Sequence, residues 1–139
     1  MSDHVIEGPT WYRIRIRRYG PFLALLLPAI LGAIALVTLE FTDGTASGVV
    51  VLVTGICAAP GLLAFGGPLA TSDDRPIGIA ISVVLWLLVG VVATRVATRN
   101  PVASFTDFWR AYRWLAVGVF IGSMAALGAA SLVIDRSLL

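Results

Sequence analysis

"VVVLVTGICAAPGLLAFGGPLA", residues 49–70, decides how this chain is folded. Its 22 residues include no charge. As one continuous helix it would run about 33 Å, enough for the roughly 30 Å hydrocarbon core of a bilayer. It also carries Pro60-Gly61 at its centre and Gly66-Gly67-Pro68 near its end. A helix stopping before Pro60 would be only about 16 Å long, too short to cross. The stretch is therefore either a kinked crossing or a re-entrant hairpin that enters and leaves on one side.

Three further apolar segments surround it. "PFLALLLPAILGAIALVTL", residues 21–39, has the length of a crossing, and Pro28 is expected to kink it. Such a proline is tolerated when a neighbour satisfies the carbonyl it frees. The third segment covers about residues 77–97, with Asp73 or Asp74 as expected caps and Pro76 in the first turn. Arg95 and Arg99, four apart near its end, are expected to share one helical face. The fourth covers about residues 108–134, and Ser104 and Asp107 have capping-box spacing just before it. Residues 1–19 form a polar, then basic and aromatic, arm that precedes a single integral membrane domain.

Composition agrees with this pattern. Of 139 residues, 58% are hydrophobic and 13% charged, and mean hydropathy is +0.93. Soluble domains average about 45–50% apolar and about 25% charged. All ten basic residues are arginine, and the chain is rich in Ala, Gly and Val. That usage points to a bacterial protein and hence to a bacterial plasma membrane. A net charge of +2 is too small for a nucleic-acid binder and suits anionic lipid headgroups.

Charge and length disagree about residues 49–70. Four crossings with both termini cytoplasmic put six arginines inside and four outside. A hairpin puts eight on one side, leaving only Arg75 and Arg136 on the other. The positive-inside rule prefers the hairpin. The uncharged length prefers the crossing, because non-helical backbone cannot face lipid. The expectation is an all-helical bundle of four transmembrane helices with both termini cytoplasmic, the second helix kinked or re-entrant near Pro60-Gly61.

The segments carry little chemistry. No Asp, Glu, His, Lys or Arg lies between their ends, so an ion-coupled transporter lacks its usual buried charge. One Cys (Cys57) and one His (His4) cannot form a disulfide, an ordinary zinc site or a buried bis-histidine haem. No catalytic residue, metal or cofactor is expected, and the protein is read as not an enzyme. Arg17-Arg18 before an apolar run resembles a twin-arginine export signal only loosely, since Tyr19-Gly20-Pro21 follows and no convincing cleavage site does.

Two sets of residues are candidates for contact. Arg13, Arg15, Arg17 and Arg18, with Arg99, Asp107, Trp109, Arg110 and Arg113, form basic and aromatic clusters suited to lipid phosphates or a partner. Gly118, Gly122, Ala126 and Ala130 recur every four residues, the spacing that lets two membrane helices approach closely. The neighbour is either within the chain or a second chain. Together these features predict a small non-catalytic accessory subunit, with anionic lipids and larger integral membrane subunits as partners. A homo-oligomeric small transporter or lipid flippase is the alternative.

Overall fold

A computed structural model describes residues 9–41, 44–65, 73–99 and 102–137, with side chains for residues 11–41, 44–63, 73–99 and 102–132. His4 and the Gly66-Gly67-Pro68 break lie outside the described residues. The fold is all-helical: α1 (Pro9–Leu23), α2 (Leu26–Phe41), α3 (Thr45–Ala58), a 3-10 helix (Pro60–Phe65), α4 (Arg75–Ala97) and α5 (Phe105–Ser137). Three apolar helical spans are long enough to cross a membrane: Trp11–Phe41, Arg75–Ala97 and Phe105–Leu132. The fourth, α3, is shorter, with 14 residues. Four apolar helical bodies are thus present as expected, but they are unequal.

The first span bends where the sequence says it should. A proline cannot donate to the carbonyl four residues back, and its ring crowds that carbonyl. Pro28 therefore frees the oxygen of Ala24, and the helix turns at Ala24-Leu25 between α1 and α2. The phenol of Tyr112, from α5, donates to that oxygen at 2.7 Å. Tyr112 is 2% exposed, so water cannot replace it. Tyr112→Phe is expected to lower stability by about 1–2 kcal/mol, the cost of stranding a buried acceptor. Pro28→Ala restores an amide donor and should recover roughly half of that loss. Equal melting points for wild type and Tyr112→Phe in detergent would remove this role.

Residues 49–70 do not form one helix. The residue before a proline is pushed out of the α region, and Ala59 sits at φ −130°, ψ 69°. The α-helix ends at Ala58 and a 3-10 helix begins at Pro60. α3 packs antiparallel on α2, with Gly32 opposite Ala58. Gly44, at φ +124°, makes the turn between them in a conformation that favours glycine.

α4 carries two neighbours on its two halves. Near its end, Gly90 lies under Pro21 and Ala24, and Thr94 lies against Gly20. Nearer its start, Gly78 and Ser82 accept the close approach of Leu62 and Gly61. Trp86 sits between the halves and donates from Nε1 to the Ala58 carbonyl at 3.0 Å. From Ala58 to Leu62 the chain therefore moves from the level of Trp86 back to that of Gly78. That is about 12 Å along α4, towards its N-terminus.

α5 begins beside α1 and the end of α4. Phe108, Tyr112 and Ala116 join Ile16, Ala24, Trp86, Ala93 and Ala97 in the main core. The Phe108 and Tyr112 rings stack at 5.9 Å, and the Trp86 ring lies 6.2 Å from Tyr112. The expected capping box forms. Asp107 Oδ2 accepts from the Ser104 amide at 3.0 Å and from its hydroxyl at 2.8 Å, while the Asp107 amide donates to Ser104 Oγ at 3.4 Å. The cap expected for α4 does not form in that way. Asp74 occupies the N-cap position and Pro76 the first turn, but the Asp74 side chain makes no cap hydrogen bond. Its backbone is already helical, at φ −86°, ψ −22°, whereas a capping side chain needs an extended backbone to turn back.

Candidate membrane-interface site

The fold gathers both arginine clusters at one end. α1 runs from Arg13 to Arg18 towards Gly20, which meets Thr94 and Phe108. The Tyr12 and Phe105 rings stand edge to face at 6.5 Å. The last turn of α4 and the first turns of α5 thus lie level with the basic part of α1. Arg75 and Arg136 belong to the opposite ends of α4 and α5. Arginines separated by most of the sequence form one collar because α4 returns to the end from which α1 starts.

Within the collar the residues differ. Arg15 places its guanidinium 4.4 Å from the Trp11 ring centre, and Arg18 lies 5.8 Å from that of Tyr19. Both are exposed, as are Arg17, Arg99, Arg110 and Arg113, while Arg13 is half-buried. Trp109 is half-buried and packs edge to face on Phe108 and Tyr112. Asp107 is committed to Ser104, so its first role is to start α5. Arg99 lies beyond the end of α4, which stops at Ala97 with Thr98 as its C-cap. The Arg99 amide turns back to the Val96 carbonyl at 3.3 Å, so the shared helical face expected for Arg95 and Arg99 is interrupted. Arg95 instead lines a groove with Arg17, Pro21, Val91, Thr94 and Thr98.

A second feature lies deeper. A cavity of about 430 Å³ opens between α2, α3, the 3-10 helix and α4. Pro28, Gly32, Gly55, Ala58, Leu62 and Trp86 are among its lining residues, and Ser82 is the hydroxyl beside it. Ser82 is occupied: it accepts from the Gly61 amide at 2.9 Å and donates to the Gly78 carbonyl at 2.7 Å. Ser82 and Trp86 thus supply partners to the broken backbone at residues 58–61. Thr54, Ser123 and Ser131 instead bond carbonyls of their own helices. The cavity is an apolar recess suited to hydrocarbon.

The third feature is the open face of α5. A Cβ added at Gly118 or Gly122 would meet nothing within 4 Å among the described residues. Ala126 and Ala130 are exposed, as are Val117, Ile121 and Leu132. The small-residue spacing is there, but among the described residues no helix packs on Gly118 or Gly122.

A comparable ladder that sequence reasoning missed does pack. Gly78, Ser82, Trp86, Gly90, Thr94 and Thr98 follow one another every four residues along α4, and all six are buried. The signal was in the spacing, but the large Trp86 interrupts the run of small side chains. Comparison of the chain with protein-family models, with curated proteins and with solved structures finds no match to any of them.

Proposed function

We propose that this protein is a non-catalytic subunit of a larger assembly in a bacterial plasma membrane. The observation that carries the reading is the unoccupied small-residue face of α5 at Gly118 and Gly122. Membrane helices associate by close packing and interhelical hydrogen bonds, and small residues at this spacing are where backbones approach. A larger integral membrane subunit is the occupant proposed for that face. Anionic lipids surround the arginine collar.

The same reading includes a topology. The Trp11–Phe41 span, α4 and α5 cross the bilayer, and α3 with the 3-10 helix forms a re-entrant hairpin. The collar, with eight of the ten arginines, faces the cytoplasm as the positive-inside rule prefers. Three crossings put the N-terminus in the cytoplasm and the C-terminus outside, replacing the expectation that both are cytoplasmic. The support is the length of α3, about 21 Å, and the return of the chain from Trp86 to Gly78.

Purification from the native membrane in mild detergent tests the subunit role. Stoichiometric larger subunits should accompany the wild type. Gly122→Leu should fold normally, because a Cβ there meets nothing within 4 Å among the described residues, yet lose at least about 80% of the accompanying subunits through overpacking of the interface. Wild-type recovery of partners by Gly122→Leu would exclude this face as the contact.

The apolar cavity favours a second reading, a homo-oligomeric lipid flippase or small transporter, since it opens beside the broken helix. A discrete homo-oligomer without other subunits, moving lipid between leaflets of a vesicle, would establish that alternative.

A further inference from the structure

We propose that the groove between α1 and α4 binds the phosphate of an anionic phospholipid, held by Arg17 and Arg95 with Thr94 at its base. The groove encloses about 400 Å³ and is lined by both arginines, Pro21, Val91, Thr94 and Thr98. Arginine presents a planar fork of N–H donors that matches a phosphate in bidentate fashion. Among the described residues, neither Arg17 nor Arg95 has an ion-pair partner.

Thr94 adds an independent sign. Thr38, Thr54 and Thr98 each return their hydroxyl to the carbonyl four residues back, at 2.6–2.8 Å. Thr94 does not: it is 5% exposed, and its Oγ1 has no hydrogen-bond partner. A buried hydroxyl left unpaired is unusual and calls for a partner. Thr98 cannot be the donor to an anion, because its proton is committed to the Thr94 carbonyl. The Thr94 hydroxyl lies against Gly20 of α1, so a turn about χ1 is what brings its proton to an anion in the groove.

The surroundings favour a lipid over free phosphate. Leu88, Val91 and Val92 lie on the same face of α4 as Arg95, and Leu88 and Val92 are exposed. An anion seated between the arginines can thus lay its acyl chains along that apolar strip. Basic pockets between membrane helices at the cytoplasmic surface suit anionic headgroups. The assignment rests on the proposed topology, in which the collar lies at headgroup level.

Native mass spectrometry of the detergent-purified full chain, titrated with phosphatidylglycerol, phosphatidylcholine or inorganic phosphate, tests it. The wild type should bind phosphatidylglycerol about tenfold more tightly than phosphatidylcholine. Arg17→Gln with Arg95→Gln should weaken phosphatidylglycerol about tenfold, and Thr94→Val about threefold. Arg110→Gln with Arg113→Gln should weaken it less, by about threefold, since those side chains belong to the collar but lie outside the groove. Equal losses in the two arginine pairs would mean diffuse attraction and overturn the site. Inorganic phosphate bound as tightly as phosphatidylglycerol would overturn the lipid assignment. If the glutamine pair fails to fold, Arg17→Lys with Arg95→Lys keeps both charges but not the fork, and about threefold weaker binding is expected. Wild-type affinity in the lysine pair would then sink the proposal.

Discussion

Gly90→Leu is expected to eliminate the folded protein, while Gly122→Leu, on the next helix, leaves its fold intact. The two glycines look alike in sequence: each stands in an uncharged apolar segment, though Gly122 lies between Gly118 and Ala126 and Gly90 between Trp86 and Thr94. Their surroundings are opposite. A Cβ added at Gly90 would lie 2.7 Å from the Pro21 Cα and from the Ala24 Cβ, and 3.0 Å from the Pro21 carbonyl oxygen. Two of those atoms are backbone and cannot rotate away. Gly90→Leu must push α1 off α4, and with it Ala24, whose carbonyl receives the Tyr112 hydroxyl. Overpacking a well-filled contact costs about 1–3 kcal/mol and more where backbone must move. A loss above about 3 kcal/mol is a large share of the 5–15 kcal/mol that keeps a typical domain folded. The monodisperse size-exclusion peak should fall roughly tenfold for Gly90→Leu and stay unchanged for Gly122→Leu in detergent. A Gly90→Leu protein with wild-type yield and melting point would mean that α1 does not rest on α4.

That contrast marks how far the sequence could be read. Segment positions, the bend at Pro28 and the Ser104–Asp107 cap were legible because each depends on neighbours within about one helical turn. Partners distant in sequence were not. Pro28 announces that the Ala24 carbonyl is freed, but nothing local says that Tyr112, 88 residues further on, supplies the donor. Small-residue spacing says that a close approach is possible and is silent about which helix comes close. It therefore drew attention to Gly118 and Gly122, which stand open, and missed the buried ladder on α4. Hydropathy was silent for a related reason at residues 49–70. A broken backbone and an unbroken one have the same side chains, and the Gly61 amide and Ala58 carbonyl at the break are bonded by Ser82 and Trp86 on another helix. Asp107, offered as part of a lipid site, also caps α5. Arg95, left out of that set, lines the groove.

The hairpin leads to the sharpest experiment, because its outcome is all or none. Thr45, Asp73 and Val102 are exposed and lie in or beside the turns between helices. Each is replaced singly by cysteine in a Cys57→Ala background, and intact cells are treated with a membrane-impermeant maleimide. Residues 45 and 73 should label together from outside, and residue 102 only after lysis. The reason is energetic as well as geometric. α3 spans about 21 Å and cannot cross a 30 Å core, and unsatisfied amides at its end would cost several kcal/mol each in lipid. Trp86 and Ser82 remove that cost at mid-depth of α4, so the chain can turn and leave where it entered. Eight arginines then share one side, and the charge asymmetry that argued against four crossings is met. Labelling of 45 and 73 from opposite sides would restore the four-crossing bundle. Labelling of 102 alone from outside would keep the hairpin and reverse its orientation, placing the arginine collar against the general charge rule.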